Sequence, residues 1–204
     1  NRTGKVKYQL TLKLYADSPL IQFELKLDNQ VLDHRMRLVL NTDIQAQMSY
    51  ADTPFGTIQR PVEDAHLNDW QSIGYHEEPT SMRPMIHFAN IHNEQQSWTF
   101  LTTGMKDFQV IGDRFNQLAI TLFRGVGYLG RPDLKRRPSD ASGLQTKVVA
   151  TPDSQLTGQL TFTGALLITP EFNPVTVQRA HLQLSQTALD YQIKNINRFT
   201  TKLQ

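Results

Sequence analysis

Apolar and polar residues alternate along most of this chain. Between residues 5 and 15, Val6, Tyr8, Leu10, Leu12 and Leu14 alternate with polar side chains. This period of two predicts a strand with one buried face. The same alternation, or a short apolar run between turn residues, predicts further strands at residues 20–27, 35–40, 45–50, 84–91, 97–103, 108–111, 118–123 and 158–169.

Helical spacing is confined to one segment near the C-terminus. Residues 174–184 begin with a proline, and Val177, Ala180, His181 and Leu184 recur at helical intervals. Residues 62–83 show no convincing period and are interpreted as a long excursion over the sheet, while residues 189–199 are ambiguous. The fold predicted is all-β, a large antiparallel β-sandwich with a minor helix near the C-terminus.

Composition and charge narrow the class of protein. With 204 residues, 39% of them hydrophobic and 20% charged, the chain can bury the core of a single β-sandwich domain over residues 1–204. The net charge of +2 gives no sign of a nucleic-acid partner. No apolar run reaches the roughly 18 residues of a membrane span, no signal peptide precedes the first strand, and cysteine is absent, so we expect a cytoplasmic protein without disulfides. Because the chain starts at Asn1 without a methionine and goes straight into strand-like sequence, we expect it to be a fragment.

A glycine-rich basic loop follows the strand at residues 118–123. Residues 124–143 contain four glycines, two prolines and five cations, and the cations are Arg124, Arg131, Lys135, Arg136 and Arg137. Loops of this length in compact domains are usually functional or disordered. Guanidinium groups suit carboxylates, phosphates and sugar hydroxyls, which makes the loop a candidate binding element. The alternative is a connector whose arginines pair with neighbouring acids.

Other chemistry-bearing residues form no recognisable catalytic set. The six histidines lack metal-ligand spacing, and we expect His87 and His92 to be hydrogen-bonded structural residues. Acidic neighbours such as Glu77 and Glu78 are interpreted as solvated. Trp70, Tyr75, Trp98 and Tyr128 could stack on a sugar ring, although Trp98 lies within a predicted strand and is expected in the core.

Three blocks of sequence together resemble one family. They are NQVLDHRMRL at residues 29–38, DTPFGTIQRP at residues 52–61, and RGVGYLGR at residues 124–131 followed by Arg137-Pro138 and Ala141-Ser142-Gly143. In this order they are similar to the C-terminal region of bacterial family 38 glycoside hydrolases, the α-mannosidase and mannosylglycerate hydrolase group. The resemblance covers roughly residues 5–170.

The resemblance implies a galactose-mutarotase-like supersandwich that packs beside a separate N-terminal catalytic domain. Zinc, its Asp and His ligands and the nucleophilic Asp belong to that domain, so this chain is expected to hold no catalytic residue, metal or cofactor of its own. The implied partners are that catalytic domain and an α-mannoside or related sugar. The residues implied to support the sugar site are Asp52, Arg60, Arg124, Tyr128, Arg131, Arg136 and Arg137.

Some interpretations stay open at this stage. A stand-alone carbohydrate-binding module would depend on Trp70 or Tyr128, and a purely structural scaffold would bind no ligand. The run Asp33-His34-Arg35 is interpreted as an internal polar network at a strand entrance rather than a ligand site. Substrate linkage and the oligomeric state, including a homo-oligomer, are left undecided.

Overall fold

The computed structural model describes residues 4–138 and 147–186. In that part of the chain the elements, in order, are β1 (Lys7–Lys13), β2 (Leu20–Asn29), β3 (Arg35–Asn41), β4 (Met48–Thr53), β5 (Gly56–Pro61), β6 (Arg83–Pro84), β7 (Phe88–His92), β8 (Ser97–Thr102), β9 (Asp107–Ile111), β10 (Gln117–Arg124), β11 (Tyr128–Leu129), β12 (Val149–Ala150), a 3₁₀ turn (Pro152–Gln155), β13 (Gly158–Thr169) and α1 (Pro174–Ser185).

Two antiparallel sheets make up the body of the protein. The large sheet has seven strands in the order β1-β2-β13-β8-β7-β4-β5, and the small sheet has four in the order β3-β10-β9-β6. Every recorded strand pair in the two sheets is antiparallel. A separate two-stranded ribbon pairs β11, which lies in the basic loop, with β12, which follows the loop in sequence.

The main core lies between the two sheets. Phe23, Leu25 and Leu27 of β2 point into it from the large sheet, and Phe108 and Leu118 point into it from the small sheet. Burial of these apolar side chains is the chief favourable term in folding. The predicted all-β sandwich is therefore confirmed.

The helix α1 covers the outer face of the large sheet. Its N-cap is Asn173, whose side-chain oxygen accepts hydrogen bonds from the backbone N–H groups of Val175 and Thr176 at 2.9 and 3.2 Å. Buried Val177 and Ala180 pack in a second cluster with residues of β7, β8 and β13. The predicted helix is confirmed to within one residue at its C-terminal end.

The structure corrects the predicted burial of β1. Tyr8, Leu12 and Leu14 are 70%, 61% and 74% exposed, although β1 pairs in register with β2 and shares its core-directed face. The reason is that β1 is the edge strand of a seven-stranded sheet, and the small sheet has only four strands to cover it. An open cleft of about 270 Å³ lies between the apolar residues of β1 and those of β3.

Two further strand predictions differ from the structure. The strand β5 is absent from the strands predicted. The predicted strand at residues 84–91 is divided into β6 and β7, which lie in different sheets. Residues 62–82 contain no strand, in agreement with the predicted excursion. Residues 189–199 lie outside the described residues.

Candidate functional site

A β-bulge in β10 determines on which face of the sheet the first residue of the basic loop lies. The pairing register between β10 and β3 shifts between Thr121 and Phe123, so that Leu122 is an extra residue with no partner. Leu122 and Phe123 are consecutive and both contribute to the core. As a result, Arg124 comes opposite Arg35 and is exposed to solvent, whereas unbroken alternation from Leu118 would have turned it inward.

The base of the loop is fixed by a polar network around Asp33. Its carboxylate oxygen Oδ1 accepts hydrogen bonds from the backbone N–H of Gly127 at 3.0 Å and from Gln155 Nε2 at 2.8 Å. Gln155 Oε1 in turn accepts from the backbone N–H of Asp33 at 2.8 Å, and Asn29 Nδ2 donates to the carbonyl oxygen of Gln155. The polar network predicted for the run Asp33-His34-Arg35 is thus present at Asp33, although this residue is exposed and not internal.

Gly127 is required for this close approach. A Cβ atom at that position would lie 2.7 Å from Gln155 Nε2 and 3.0 Å from Asp33 Oδ1, which is too close for a real side chain. The neighbouring residue His34 behaves differently from Asp33, because neither of its buried ring nitrogens has a hydrogen-bond partner in the part of the chain that the structure describes. Its ring instead packs edge-on against Phe123, with the ring centroids 5.1 Å apart.

The outer part of the loop presents an aromatic residue and a cation together. The guanidinium carbon of Arg131 lies 5.3 Å from the centre of the Tyr128 ring, within the range of a cation–π contact. Arg137 Nη2 donates to the carbonyl oxygen of Arg131 at 2.6 Å. Two open clefts of about 820 and 550 Å³ border this group, and both are lined by Asp33, Gly127, Tyr128 and Arg131.

Arg124 and Arg136 form a second group, on the outer side of the small sheet. Arg124 Nη2 lies 2.9 Å from Asp107 Oδ2, and Arg136 Nε lies 3.4 Å from Glu78 Oε2. These two arginines are paired with acids, as the connector interpretation expected. Burial, together with the nearby charges of Arg37, Arg124 and Arg136, lowers the pKa of Arg35 from its ordinary value.

Asp52 and Arg60 do not join either group. Asp52 is only 3% exposed; its Oδ1 accepts three backbone N–H bonds, from Ile86, His87 and Phe88, and its Oδ2 lies 2.7 Å from His87 Nδ1. Burial alone would raise the pKa of Asp52, but these donors outweigh it and hold the pKa below the ordinary value. Arg60 is half-buried on β5, and its Nη1 atom is buried without a hydrogen-bond partner within residues 4–138 and 147–186.

The structure therefore brings together only part of the set predicted from sequence. Tyr128, Arg131 and Arg137 share the outer loop, and Arg124 and Arg136 share the face of the small sheet. Asp52 and Arg60 have no recorded hydrogen bond or ion pair to described loop residues, and Asp52 serves the fold. Residues 139–143 of the loop lie outside the described residues.

Sequence reasoning missed Arg35, Arg37 and Gln155. The alternation in β3 could have placed Arg35 and Arg37 on one face beside Arg124, had the bulge been anticipated. Gln155 gives no such signal, because it reaches Asp33 across 122 residues of sequence.

His87 and His92 are hydrogen-bonded structural residues, as predicted. His92 Nδ1 lies 2.8 Å from Asn90 Oδ1, and its ring stacks on Phe172 at 5.0 Å. Within residues 4–138 and 147–186, no three His, Asp or Glu side chains are grouped to hold a metal ion. None of the helices in the same ranges is long and apolar enough to cross a membrane.

The fold and the anchored loop define an antiparallel β-sandwich domain with a basic, aromatic-bearing loop at one end. Residues 2–141 match the family model described as the C-terminal domain of family 38 glycosyl hydrolases. Because this match covers more than half of the sequence, the chain belongs to that family.

Comparisons with individual proteins agree with this assignment. The chain is 26% identical over 125 residues to a protein of Halalkalibacterium halodurans named "Putative mannosylglycerate hydrolase", and the match covers 61% of this chain and 12% of that protein. It is similar in fold to part of an alpha-mannosidase from Enterococcus faecalis V583, with a TM-score of 0.68, 24% identity and coverage of 85% of this chain and 17% of that one. A second Enterococcus faecalis protein of glycosyl hydrolase family 38 gives a TM-score of 0.64 and 23% identity over the same shares of the two chains. This chain thus spans less than a fifth of each relative.

Proposed function

We propose that this chain is the sandwich region of an α-mannosidase-like glycoside hydrolase, and that it packs beside a separate zinc-containing catalytic domain. In this proposal the outer loop, residues 125–138, helps to wall the sugar site. The supporting observation is the exposed pair of Tyr128 and Arg131 on a loop whose base is fixed by Asp33, Gly127 and Gln155. The membership of the family and the small share of each relative that the chain spans are consistent with it.

The chemistry of such a loop is auxiliary. A retaining or inverting glycosidase needs two carboxyl groups at the scissile bond, and this chain is proposed to supply neither. An aromatic face can cover the apolar side of a sugar ring, and a guanidinium can donate to hydroxyl groups or orient a neighbouring carboxylate. The β-sandwich contributes stiffness, because loops tied to strands hold such groups more accurately than free loops do.

The test uses the longer polypeptide that includes the catalytic region. We expect Arg131→Ala and Tyr128→Ala to lower kcat/KM for an aryl α-mannoside by about 10–100-fold, the usual range for supporting residues. Both side chains are exposed, so the melting temperature should change little. Arg179→Ala is the control, since Arg179 is exposed on α1, on the far side of the large sheet.

The outcomes separate the proposed role from its rivals. Full turnover in both loop variants would show that the loop is only a connector. The 204-residue chain alone should not cleave the aryl mannoside, and cleavage by it would refute the proposed division of labour. If the chain alone binds mannose, and Tyr128→Ala abolishes that binding while turnover of the long polypeptide is unaffected, the carbohydrate-binding module is the better description.

A further inference from the structure

Arginine side chains are concentrated on the outer face of the small sheet. Arg35 and Arg37 lie two residues apart on β3, and Arg124 at the end of β10 is the register partner of Arg35. Arg136 approaches the same place from the loop and contributes to the positive potential at Arg35. Like charges at this spacing repel one another, so the cluster costs free energy unless negative charge compensates it.

The acids of the described residues compensate only half of these cations. Asp107 pairs with Arg124, and Glu78 pairs with Arg136. Arg37 Nη1 donates to the neutral amide oxygen of Gln109 at 3.2 Å, and Arg35 Nη1 donates to the thioether of Met82. Neither Arg35 nor Arg37 lies within 4.0 Å of a carboxylate oxygen of a described residue.

Met82 is a poor partner for the donors that surround it. Its sulfur receives Arg35 Nη1 and also lies 3.5 Å from Arg124 Nη2. A thioether is a weak acceptor without charge, whereas guanidinium groups form their strongest hydrogen bonds with carboxylate and phosphate oxygens, often two at a time. The guanidinium groups of Arg35 and Arg124 thus contact an uncharged sulfur atom. An oxyanion that displaced this sulfur would form stronger hydrogen bonds with both groups.

An unpaired acceptor lies at the same place. Asp107 uses Oδ2 for Arg124, while its Oδ1 is buried and has no hydrogen-bond partner among the described residues. A buried acceptor without a donor is costly, and a ligand hydroxyl group could satisfy it. A cleft of about 230 Å³ adjoins Arg35 and Met82, and its lining also includes Arg136, Glu63, Glu78 and Gln109.

We propose that Arg35, Arg37 and Arg124 bind the oxyanion of a small hydroxylated ligand, a carboxylate or a phosphate on a polyol, with Asp107 accepting a hydrogen bond from one of its hydroxyl groups. The oxyanion replaces the Met82 thioether as partner of Arg35 and Arg124. This site lies on the sheet face and does not involve the pair of Tyr128 and Arg131, so it stands whether or not the outer loop walls a sugar pocket.

Isothermal titration of the 204-residue chain with glycerate and with glycerol phosphate, at constant ionic strength, tests the site. At least one of the two should bind, and the stronger one identifies the oxyanion as carboxylate or phosphate. Propionate, which has the charge but no hydroxyl group, should bind more weakly than glycerate, and neutral mannose should not compete. Chloride at the same ionic strength serves as the reference for unspecific screening.

Variants then locate the binding. Arg35→Gln and Arg37→Gln should each raise the Kd of the tighter-binding ligand about tenfold or more, because each removes a charge-assisted contact. Arg179→Gln, on the opposite side of the sandwich, should leave the affinity unchanged. Met82→Leu should keep or tighten binding, since it removes the competing sulfur and little else.

Several results would overturn the proposal. The first is that neither glycerate nor glycerol phosphate binds at about 10 mM, on the order of the weakest affinity that titration resolves. The second is that Arg179→Gln weakens the affinity as much as the β3 variants do. The third is that the affinity is unchanged in both β3 variants. The melting temperature of each variant shows whether it is folded, and binding of the ligand should raise the melting temperature of the original chain but not that of the two β3 variants. If an acidic segment of another part of the polypeptide covers these arginines instead, the small anions will not bind to the longer polypeptide, and this too contradicts the proposal.

Discussion

One oxygen atom of Asp52 holds the start of β7 in place. Three consecutive backbone N–H groups, those of Ile86, His87 and Phe88, converge on Oδ1 at 2.8–3.1 Å, and the other oxygen receives His87. These donors lie 34 to 36 residues further along the chain. The family resemblance implied that Asp52 supports the sugar site, and the sequence alone cannot show backbone partners that only the sheet brings near.

Replacing this carboxylate should cost stability. We expect Asp52→Ala to lower the free energy of unfolding by about 2–4 kcal/mol, because it leaves buried donors without an acceptor. Asp52→Asn keeps an oxygen for the backbone donors and should cost less. Denaturant unfolding measures both, with Asp113→Ala at an exposed position as the control. A loss below about 0.5 kcal/mol for Asp52→Ala, the usual range for surface changes, would contradict this assignment.

At the scale of the element, the ends of a strand were easier to predict than its pairing partner or the burial of its side chains. The alternation between Gly158 and Thr169 gave β13 with both ends correct, and the proline at residue 174 located the start of α1. The strand β5 was missed because Ile58 is its one large apolar side chain and a turn precedes it. A polar edge strand of this kind depends on its partner β4, and local pattern does not report partners.

Burial differs between adjacent strands with the same pattern. Leu12 on β1 is 61% exposed, whereas Leu27 on β2 is 1% exposed. Alternation shows that two leucines share a face, but the width of the opposing sheet decides whether that face is covered, and this width is a property of the assembled fold.

This contrast gives a matched pair of substitutions. Leu27→Ala should lower the free energy of unfolding by about 2–5 kcal/mol, since it leaves a cavity in the core. Leu12→Ala should change it by less than about 0.5 kcal/mol, because the side chain is already in contact with solvent. Equal losses from the two substitutions, measured by denaturant unfolding, would show that β1 is covered in solution.

At the scale of the whole molecule, histidines lie where the C-terminal segment meets the large sheet. His181 on α1 is buried, donates through Nε2 to the carbonyl oxygen of Thr102 at 3.1 Å, and has its ring centroid 4.3 Å from that of His87. Burial, followed by the proximity of His87 and to a lesser degree Lys106, lowers the pKa of His181, while the Thr102 carbonyl and Asp52 act in the opposite direction. Burial also lowers the pKa of His92.

Stability should therefore decrease on mild acidification. A folded-state pKa below the ordinary value of about 6.5 means that the unfolded chain takes up the proton first. The contribution of neutral His181 to the free energy of unfolding is complete above about pH 6.5. This contribution is lost as the pH falls from there through the lowered folded-state pKa. Unfolding free energies at pH 8 and pH 5.5 should differ less in His181→Gln than in the original chain, while His76→Gln, at an exposed position, should show the original difference. A larger difference between the two unfolding free energies in His181→Gln would show that folding does not lower the pKa of His181.

The unpaired Leu122 also limits where this protein can gain or lose residues in evolution. Deleting Leu122 itself would leave Phe123 opposite Met36 and Arg124 opposite Arg35, so every side chain of β10 would keep its face. Deleting Ala119, three residues earlier, would make Leu118 and Ile120 consecutive. The side chains on one side of the deletion would then change face, and either Leu118 or Ile120 would turn towards solvent. Homologous strands of different length should therefore differ at Leu122 and not elsewhere in β10, and an insertion or deletion at that point leaves the arginines on the sheet face where they are.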